Sequence, residues 1–417
     1  MKKQVILFAL AVGMLLSACG RNSVTETTSP SAQAESSPEV FAPMPGLDAQ
    51  NQYLISGSFS LQESDDYFIG SGMIGQYFYY YDKASSISGL LCADPACIHD
   101  TADCGAYSGN GGGLFLYDGQ RYWIANDYAT DGPDHYLRCS DLAGTNQVKL
   151  KKISFEDVIL PYQPQQYATH RGKLFFRGAS DAVTGTAASR RITLAVSPLD
   201  GSETFTILFD ETYDAYANSE MRFAGNDAYL VTRWGYDDGT RFCSSIYKIN
   251  IDTGETTTIF EENDSSLYVR ALWVTDTGEV YFACADTLYR VDGGEAAAVA
   301  TFQNEDAYLF VMDGIVLNAY TKDGTHHIEI KDFSGNTVYD GPTFPGGIPE
   351  LEHDISIVGN FSWAVLGGDS EKIILAAEDQ AGMQTGGAFK TENRKGYVIM
   401  LDIQNGMAPT ILWTEES

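Results

Sequence analysis

The most unusual local feature of this sequence is a group of four side chains able to ligate a metal: Cys92, Cys97, His99 and Cys104. They stand in Leu91-Cys92-Ala93-Asp94-Pro95-Ala96-Cys97-Ile98-His99-Asp100, with Ala102-Asp103-Cys104 after it. Three thiolates and one imidazole are a donor set that closes a tetrahedral zinc site. The Cys-x4-Cys-x-His-x4-Cys pattern is not that of a common zinc finger, whose paired cysteines stand roughly two to four residues apart. One residue between Cys97 and His99 demands an extended or turned backbone, because neighbours two apart on a strand point the same way. A disulfide in an oxidising compartment, with the third thiol free or paired elsewhere, is the competing reading, and reduced packing cysteines are a third. A catalytic Cys-His pair has less support, since no orienting third group or oxyanion-hole motif accompanies it. Cys139, Cys243 and Cys284 lie singly in strand-like runs and read as small buried hydrophobes, although sequence does not exclude pairing among them.

The amino terminus bears on the compartment. Lys2 and Lys3 precede an apolar run over residues 5–16, shorter than the roughly 20 residues of a membrane-spanning helix. Leu16-Ser17-Ala18-Cys19 follows and resembles the lipobox of bacterial lipoproteins. That resemblance implies a signal peptide over 1–18, a diacylglyceryl anchor on Cys19, and a protein lipid-anchored to the extracytoplasmic face of the cell membrane. Residues 19–50, rich in Ser, Thr, Pro and Glu, cannot bury enough apolar surface to offset their ordering entropy and read as a flexible tether.

The remaining residues, 51–417, form one large unit. The formal net charge of −30 provides no basic stripe for phosphates and argues against nucleic acid as a partner. Helical periodicity is almost absent. Short runs rich in Tyr, Phe, Val and Ile alternate with Gly, Asp and Asn turns. Two pieces recur in fixed order. One is a tight turn before an apolar strand, as at Asp118-Gly119, Arg171-Gly172, Gly225-Asn226, Thr277-Gly278 and Asp313-Gly314. The other is a strand running into an acidic-glycine turn, as at Asp141 to Gly144, Asp200-Gly201, Asp252 to Gly254, Asp292 to Gly294, Asp332 to Gly335 and Asp402 to Gly406. A repeat of this kind at roughly 35–70 residues predicts an all-β single β-propeller. Seven four-stranded blades fit best, with six or eight as the alternative counts. A pair of β-sandwiches would not repeat the same two turns in order.

In a propeller the connections between second and third strands share a face with the links between blades. Five of these read as long loops, at Asn126 to Asp134, Ala179 to Ser189, Gly235 to Thr240, Thr321 to Thr325 and Asp379 to Lys395. Loops on a rigid scaffold are where binding residues concentrate. The candidate contacts are Tyr128, Trp234, Tyr236, Asp237, His326 and His327. The Cys/His group, following the first blade, falls on that face or at its rim.

Tyr79-Tyr80-Tyr81-Asp82-Lys83, the run from Leu91-Cys92 to His99-Asp100 and Cys104-Gly105-Ala106-Tyr107 together resemble a signature of exported lipoproteins of anaerobic Firmicutes. The resemblance implies a propeller-like repeat domain of unassigned function, similar to the low-density-lipoprotein-receptor type. Repeated Ser-x-Asp-x-Gly-x-x-Trp boxes, a Gly-x-Ser-x-Gly elbow and a His-Glu-x-x-His helix are all missing from the sequence. The reading favoured is therefore a tethered, non-enzymatic module binding an extracellular protein, peptide or glycan. The rivals are a carbohydrate-active hydrolase with a carboxylate pair in the central funnel, and metal capture or sensing, with zinc, through the Cys/His cluster.

Overall fold

The computed structural model describes residues 60–416 apart from short internal stretches, the longest being 154–166, 349–360 and 380–394. Cys19, the signal and the tether lie outside the described residues, as do Tyr236 and Asp237. All described elements belong to the unit Pro43–Ser417.

The chain forms seven four-stranded antiparallel sheets, each from four strands consecutive in sequence. Blades 1 to 7 occupy residues 61–90, 112–153, 167–213, 216–262, 271–301, 308–342 and 361–416. First strands of blades 1 and 2, 2 and 3, 4 and 5, 5 and 6, and 6 and 7 contact one another, so first strands form the inner ring and fourth strands the perimeter. This is a seven-bladed β-propeller, as the repeat predicts.

The two recurring sequence pieces are the two hairpin turns of a blade. Asp118-Gly119 and Arg171-Gly172 join first and second strands with both residues at positive φ, the twist-matched two-residue hairpin. The acidic-glycine pieces join third and fourth strands. Asp82, Asp141, Asp332 and Asp402 each open such a turn, and their Oδ1 accepts backbone N–H groups two to four residues on. A short carboxylate side chain that satisfies the turn's own donors explains why Asp recurs there. From blade 2 onward the pairing of third and fourth strands slips by one residue mid-strand, at Leu137/Arg138, Leu194/Ala195, Ile246/Tyr247, Leu288/Tyr289, Ile330/Lys331 and Val398/Ile399. Such bulges raise the right-handed twist.

The core is divided into seven clusters, each lying between two neighbouring blades. The cluster that closes the ring joins Leu61, Phe68 and Tyr81 of blade 1 to Ile374, Val398, Leu412 and Trp413 of blade 7. Each blade comes from a single stretch of chain, so no strand is exchanged at this seam and side chains join it. Trp413 stacks on Tyr79 at 6.0 Å, and Glu63 of blade 1 pairs with Lys372 of blade 7 at 3.2 Å and with Lys83 of its own blade at 2.7 Å.

Two connections expected as open loops are paired hairpins. Ala129 faces Gly132, so the strands continue through Asn126 to Asp134. Lys322 pairs with Thr325 across Asp323 and Gly324, both at positive φ. At the second of these, Tyr320 and Thr321 extend the ladder opposite His327 and His326 where polarity suggests a loop.

Candidate metal centre

The cluster begins where the outermost strand of blade 1, Ile87–Leu90, ends. The Leu91 N–H still donates to the Phe78 carbonyl, 2.9 Å away. Asp94-Pro95-Ala96-Cys97 then forms a β-turn closed by Cys97 N–H to the Asp94 carbonyl at 3.2 Å, while Asp94 Oδ1 accepts from Ala96 N–H at 2.9 Å. Asp first and Pro second are the residues such a turn prefers, for side-chain capping and fixed φ. His99 has a φ of 57°, a left-handed conformation. The backbone between Cys97 and His99 is therefore turned, not extended. Tyr77 Oη donates to the His99 carbonyl and holds this bend against blade 1.

The chain then closes a second turn, Tyr107 N–H to the Cys104 carbonyl at 2.9 Å. Phe78 N–H to the Ala106 carbonyl at 2.7 Å, and Ser108 N–H to the Gln76 carbonyl at 2.8 Å, stitch this turn to the third strand of blade 1. On its other side it meets blade 2. Gln147 Nε2 donates to the Cys104 and Gly105 carbonyls, at 3.3 and 3.2 Å. The backbones of Gly105 and Gly144 are in contact, and a Cβ on Gly144 would sit 2.6 Å from the Gly105 oxygen. The group thus occupies the rim, wedged against the outer turn of blade 2.

One ligand atom from each of Cys92, Cys97, His99 and Cys104 lies within 4.8 Å of the others. His99 Nδ1 is 3.2 Å from Cys104 Sγ. With Zn–S bonds of about 2.3 Å, neighbouring sulfurs of a tetrahedral site stand roughly 3.8 Å apart, so these atoms are already near ligating separation. Cys92, Cys97 and Cys104 are not joined by a disulfide. The group can hold a metal ion.

Its electrostatics are uneven. Burial pushes the Cys104 thiol up to about 11, and the neighbouring Cys97 and Cys92 thiols add to this against a hydrogen bond from Ala106 N–H. At Cys92 burial also acts upward, but backbone hydrogen bonding at Asp94 and Gly105 and the neighbouring thiols outweigh it and hold the group below the ordinary thiol value. Behind them lies Arg121, which is fully buried. Its Nη2 donates to the Gly105 carbonyl and its Nε to Ser140 Oγ, while the guanidinium sits 4.9 Å from the Phe78 ring and 5.2 Å from that of Trp123. Burial lowers this group to about 10, and Asp141 and the Cys104 and Cys92 thiols pull it back up. A buried cation offsets the excess negative charge of three thiolates, each of which must lose its proton to ligate.

Sequence reasoning found the four ligand candidates and missed Arg121. A signal was present: Arg121 is two residues before Trp123 on one strand, Gln120–Ala129, and therefore shares its core-facing side. A charged residue at such a position is expected to serve a partner.

The other sequence candidates do not converge. Trp234 packs on the core between blades 3 and 4 and lies against Tyr213 at 4.9 Å. His326 and His327 are adjacent on one strand of blade 6, Thr325–Asp332, where alternate side chains take opposite faces. The His327 ring is 5.5 Å from Tyr320, and burial lowers the His326 imidazole below its usual range. Tyr128 lies on a strand of blade 2, opposite Pro133.

No family model matches the chain, and no curated protein matches its sequence. Solved structures do resemble it. A prolyl endopeptidase aligns at TM-score 0.51 and 12% identity, over 88% of this chain and 51% of that one. An acylaminoacyl peptidase of Pyrococcus horikoshii aligns at 0.44 and 10%, over 87% and 52%. An ulvan lyase, a polysaccharide lyase, aligns at 0.47 and 12%, over 87% and 99%. The chain spans about half the length of the peptidases it matches. At these identities the likeness is one of fold.

Proposed function

We propose that this protein is an extracytoplasmic, lipid-tethered interaction propeller whose Cys92, Cys97, His99 and Cys104 hold a structural zinc ion at the seam between blades 1 and 2. The observation that carries the zinc assignment is the gathering of four ligand atoms within 4.8 Å, with Arg121 buried behind them. Four protein ligands fill a tetrahedral zinc, which leaves no open position for water or substrate. The ion's role is then to fasten residues 91–99 and 104–108, which carry little regular structure, between two blades. Anchoring rests on the Leu16-Ser17-Ala18-Cys19 lipobox, and on that reading the lipid and tether hold a rigid ring of blades outside the membrane. A propeller fold is compatible with an interaction module for a protein, peptide or glycan.

The hydrolase alternative receives less support. It needs two carboxyl groups roughly 5–9.5 Å apart around a scissile bond. Among the described innermost strands the carboxylates are Glu63 and Glu220, in blades 1 and 4, and each is held by cations.

Hydrogen exchange tests the structural role. Removing metal with a strong chelator is expected to raise exchange at residues 91–108 and 141–148 and to leave blades 4 to 6 unchanged. Uniform exchange with and without chelator contradicts a structural ion.

A further inference from the structure

A second charged cluster lies in blades 3 to 5. Glu220 and Arg222 are on the innermost strand of blade 4, Tyr216–Ala224, and Arg233 is on the adjoining strand, Asp227–Gly235, opposite Asn218. Arg222 Nη2 is 2.7 Å from Glu220 Oε1, and Arg233 Nη2 donates to Glu220 Oε2. Arg233 also donates to the Val269 carbonyl and to Asn218 Oδ1, and the Leu272 N–H reaches Glu220 at 3.4 Å, which ties the cluster to blade 5. Arg177 comes from blade 3. It lies one residue beyond Phe176, the last residue of its strand paired with that blade's innermost strand, and donates to Ser219 Oγ across the blade boundary at 3.2 Å.

The charges do not balance. Three guanidiniums share one carboxylate, and Glu220 is the one described acidic group whose field reaches Arg177, alongside the like charges of Arg233 and Arg222. Arg222 and Arg233 are only 7% and 8% exposed. Buried cations need an anion or a full set of acceptors. The unsatisfied atoms also share a chemistry. Arg177 Nε, Arg222 Nε and the indole Nε1 of Trp273, over whose ring Arg222 lies at 5.9 Å, are buried without hydrogen-bond partners among the described residues. All three are donors with no acceptor capacity. Orphaned donors beside uncompensated positive charge are chemically complementary to an oxyanion.

We propose that Arg177, Arg222, Arg233 and Trp273, oriented by Glu220, bind the carboxylate, sulfate or phosphate group of a ligand at the inner ends of blades 3 to 5. Guanidiniums offer paired donors matched to such a group, and Glu220 fixes two of them in place before it arrives. In a chain of net charge −30 this is a local positive site, selective for a single anionic group rather than for a polyanion spread over the surface. The proposal does not depend on zinc at the other cluster.

Calorimetric titration of the full chain with sodium sulfate, sodium phosphate and sodium glucuronate tests it, against sodium chloride at equal ionic strength. At least one oxyanion is expected to bind saturably at one per chain, and the order of the three separates a tetrahedral ligand group from a carboxylate. Arg177→Gln is expected to weaken that binding by about tenfold or more. Arg177→Lys, which keeps the charge and loses the fork, is expected to give a smaller loss, and it serves if the glutamine variant does not fold. Heats indistinguishable from chloride for all three anions, or unchanged affinity in both variants, overturn the proposal.

Discussion

The Arg121 guanidinium donates to the carbonyl of Gly105, the residue that follows the most buried thiol of the Cys/His cluster. Strand and cluster come from different blades, so a charge planted in blade 2 sets the backbone of a turn built on blade 1. Arg121→Met keeps most of the apolar packing against Phe78 and Trp123 and removes the charge and the hydrogen bond. Partners of this kind behind metal ligands are worth about 10–100-fold in metal affinity. Competition with a chromophoric chelator is expected to show a loss in that range.

Gly144 tests the same contact from the other side. It holds a φ of 82°, and a Cβ there would approach the Gly105 oxygen to 2.6 Å and Arg121 Nη2 to 2.9 Å. Backbone on one side and a buried guanidinium on the other leave little room to yield. Gly144→Ala is expected to lower thermal stability by about 1–3 kcal/mol and to weaken metal retention. Gly254→Ala also carries the left-handed strain, but its Cβ meets nothing within 4 Å, so it is expected to cost less and to leave metal retention unchanged.

The buried thiol predicts a pH dependence that the metal should abolish. Cys104 is raised to about 11, so the folded metal-free protein holds that proton more tightly than the unfolded chain does. Its contribution to stability is present below the unfolded thiol's pKa, about 8.5, and is lost as pH rises toward 11. Cys92, held low, acts with the opposite sign, gaining as pH rises through the ordinary thiol range. The difference between the parent and Cys104→Ser isolates the buried group. In chelator-treated samples thermal melts from pH 8 to 10.5 are expected to show the parent losing ground to the serine variant. In zinc-loaded parent the proton has already left, so this alkaline loss is expected to vanish.

Much of this architecture was legible because its devices are local. Asp141 to Gly144 and Asp332 to Gly335 mark hairpin turns since an aspartate caps its own turn and a glycine takes positive φ, and both requirements show in single residues. The repeat then counts the blades. The ligand set was legible for the same reason, with Asp94-Pro95 marking the turn that brings Cys97 round. Arg121, Gln147 and Gly144 were not, because their relation to Cys104 depends on how blade 2 leans on blade 1. The hairpin at Thr321 to Thr325 has a shorter loop than its polarity suggests, because cross-strand pairing of Tyr320 with His327 outweighs polarity. The Arg177, Arg222 and Arg233 cluster draws on three strands in two blades, and nothing in the spacing of these residues announces it.

Ring closure makes a further prediction. Trp413 occupies the space where a Gly70 side chain would be, with two of its ring carbons 2.7 Å from that Cβ position. Gly70→Ala is expected to destabilise by about 1–3 kcal/mol through overpacking at the seam between blades 1 and 7. Trp413→Ala is expected to cost about 3–5 kcal/mol by opening a cavity in the one seam that joins the two ends of the propeller. The pair Gly70→Ala with Trp413→Phe is expected to recover part of the first loss, which chemical denaturation of the double-variant cycle will read as a coupling.

The most direct test is metal and thiol content on one preparation, purified under mild reducing conditions without added metal. The account predicts close to one zinc per chain, its loss in Cys97→Ser, and three further titratable thiols once a chelator removes the ion. A metal-free protein with two fewer free thiols under oxidising conditions, unchanged by zinc, would make the cluster a disulfide and contradict the account.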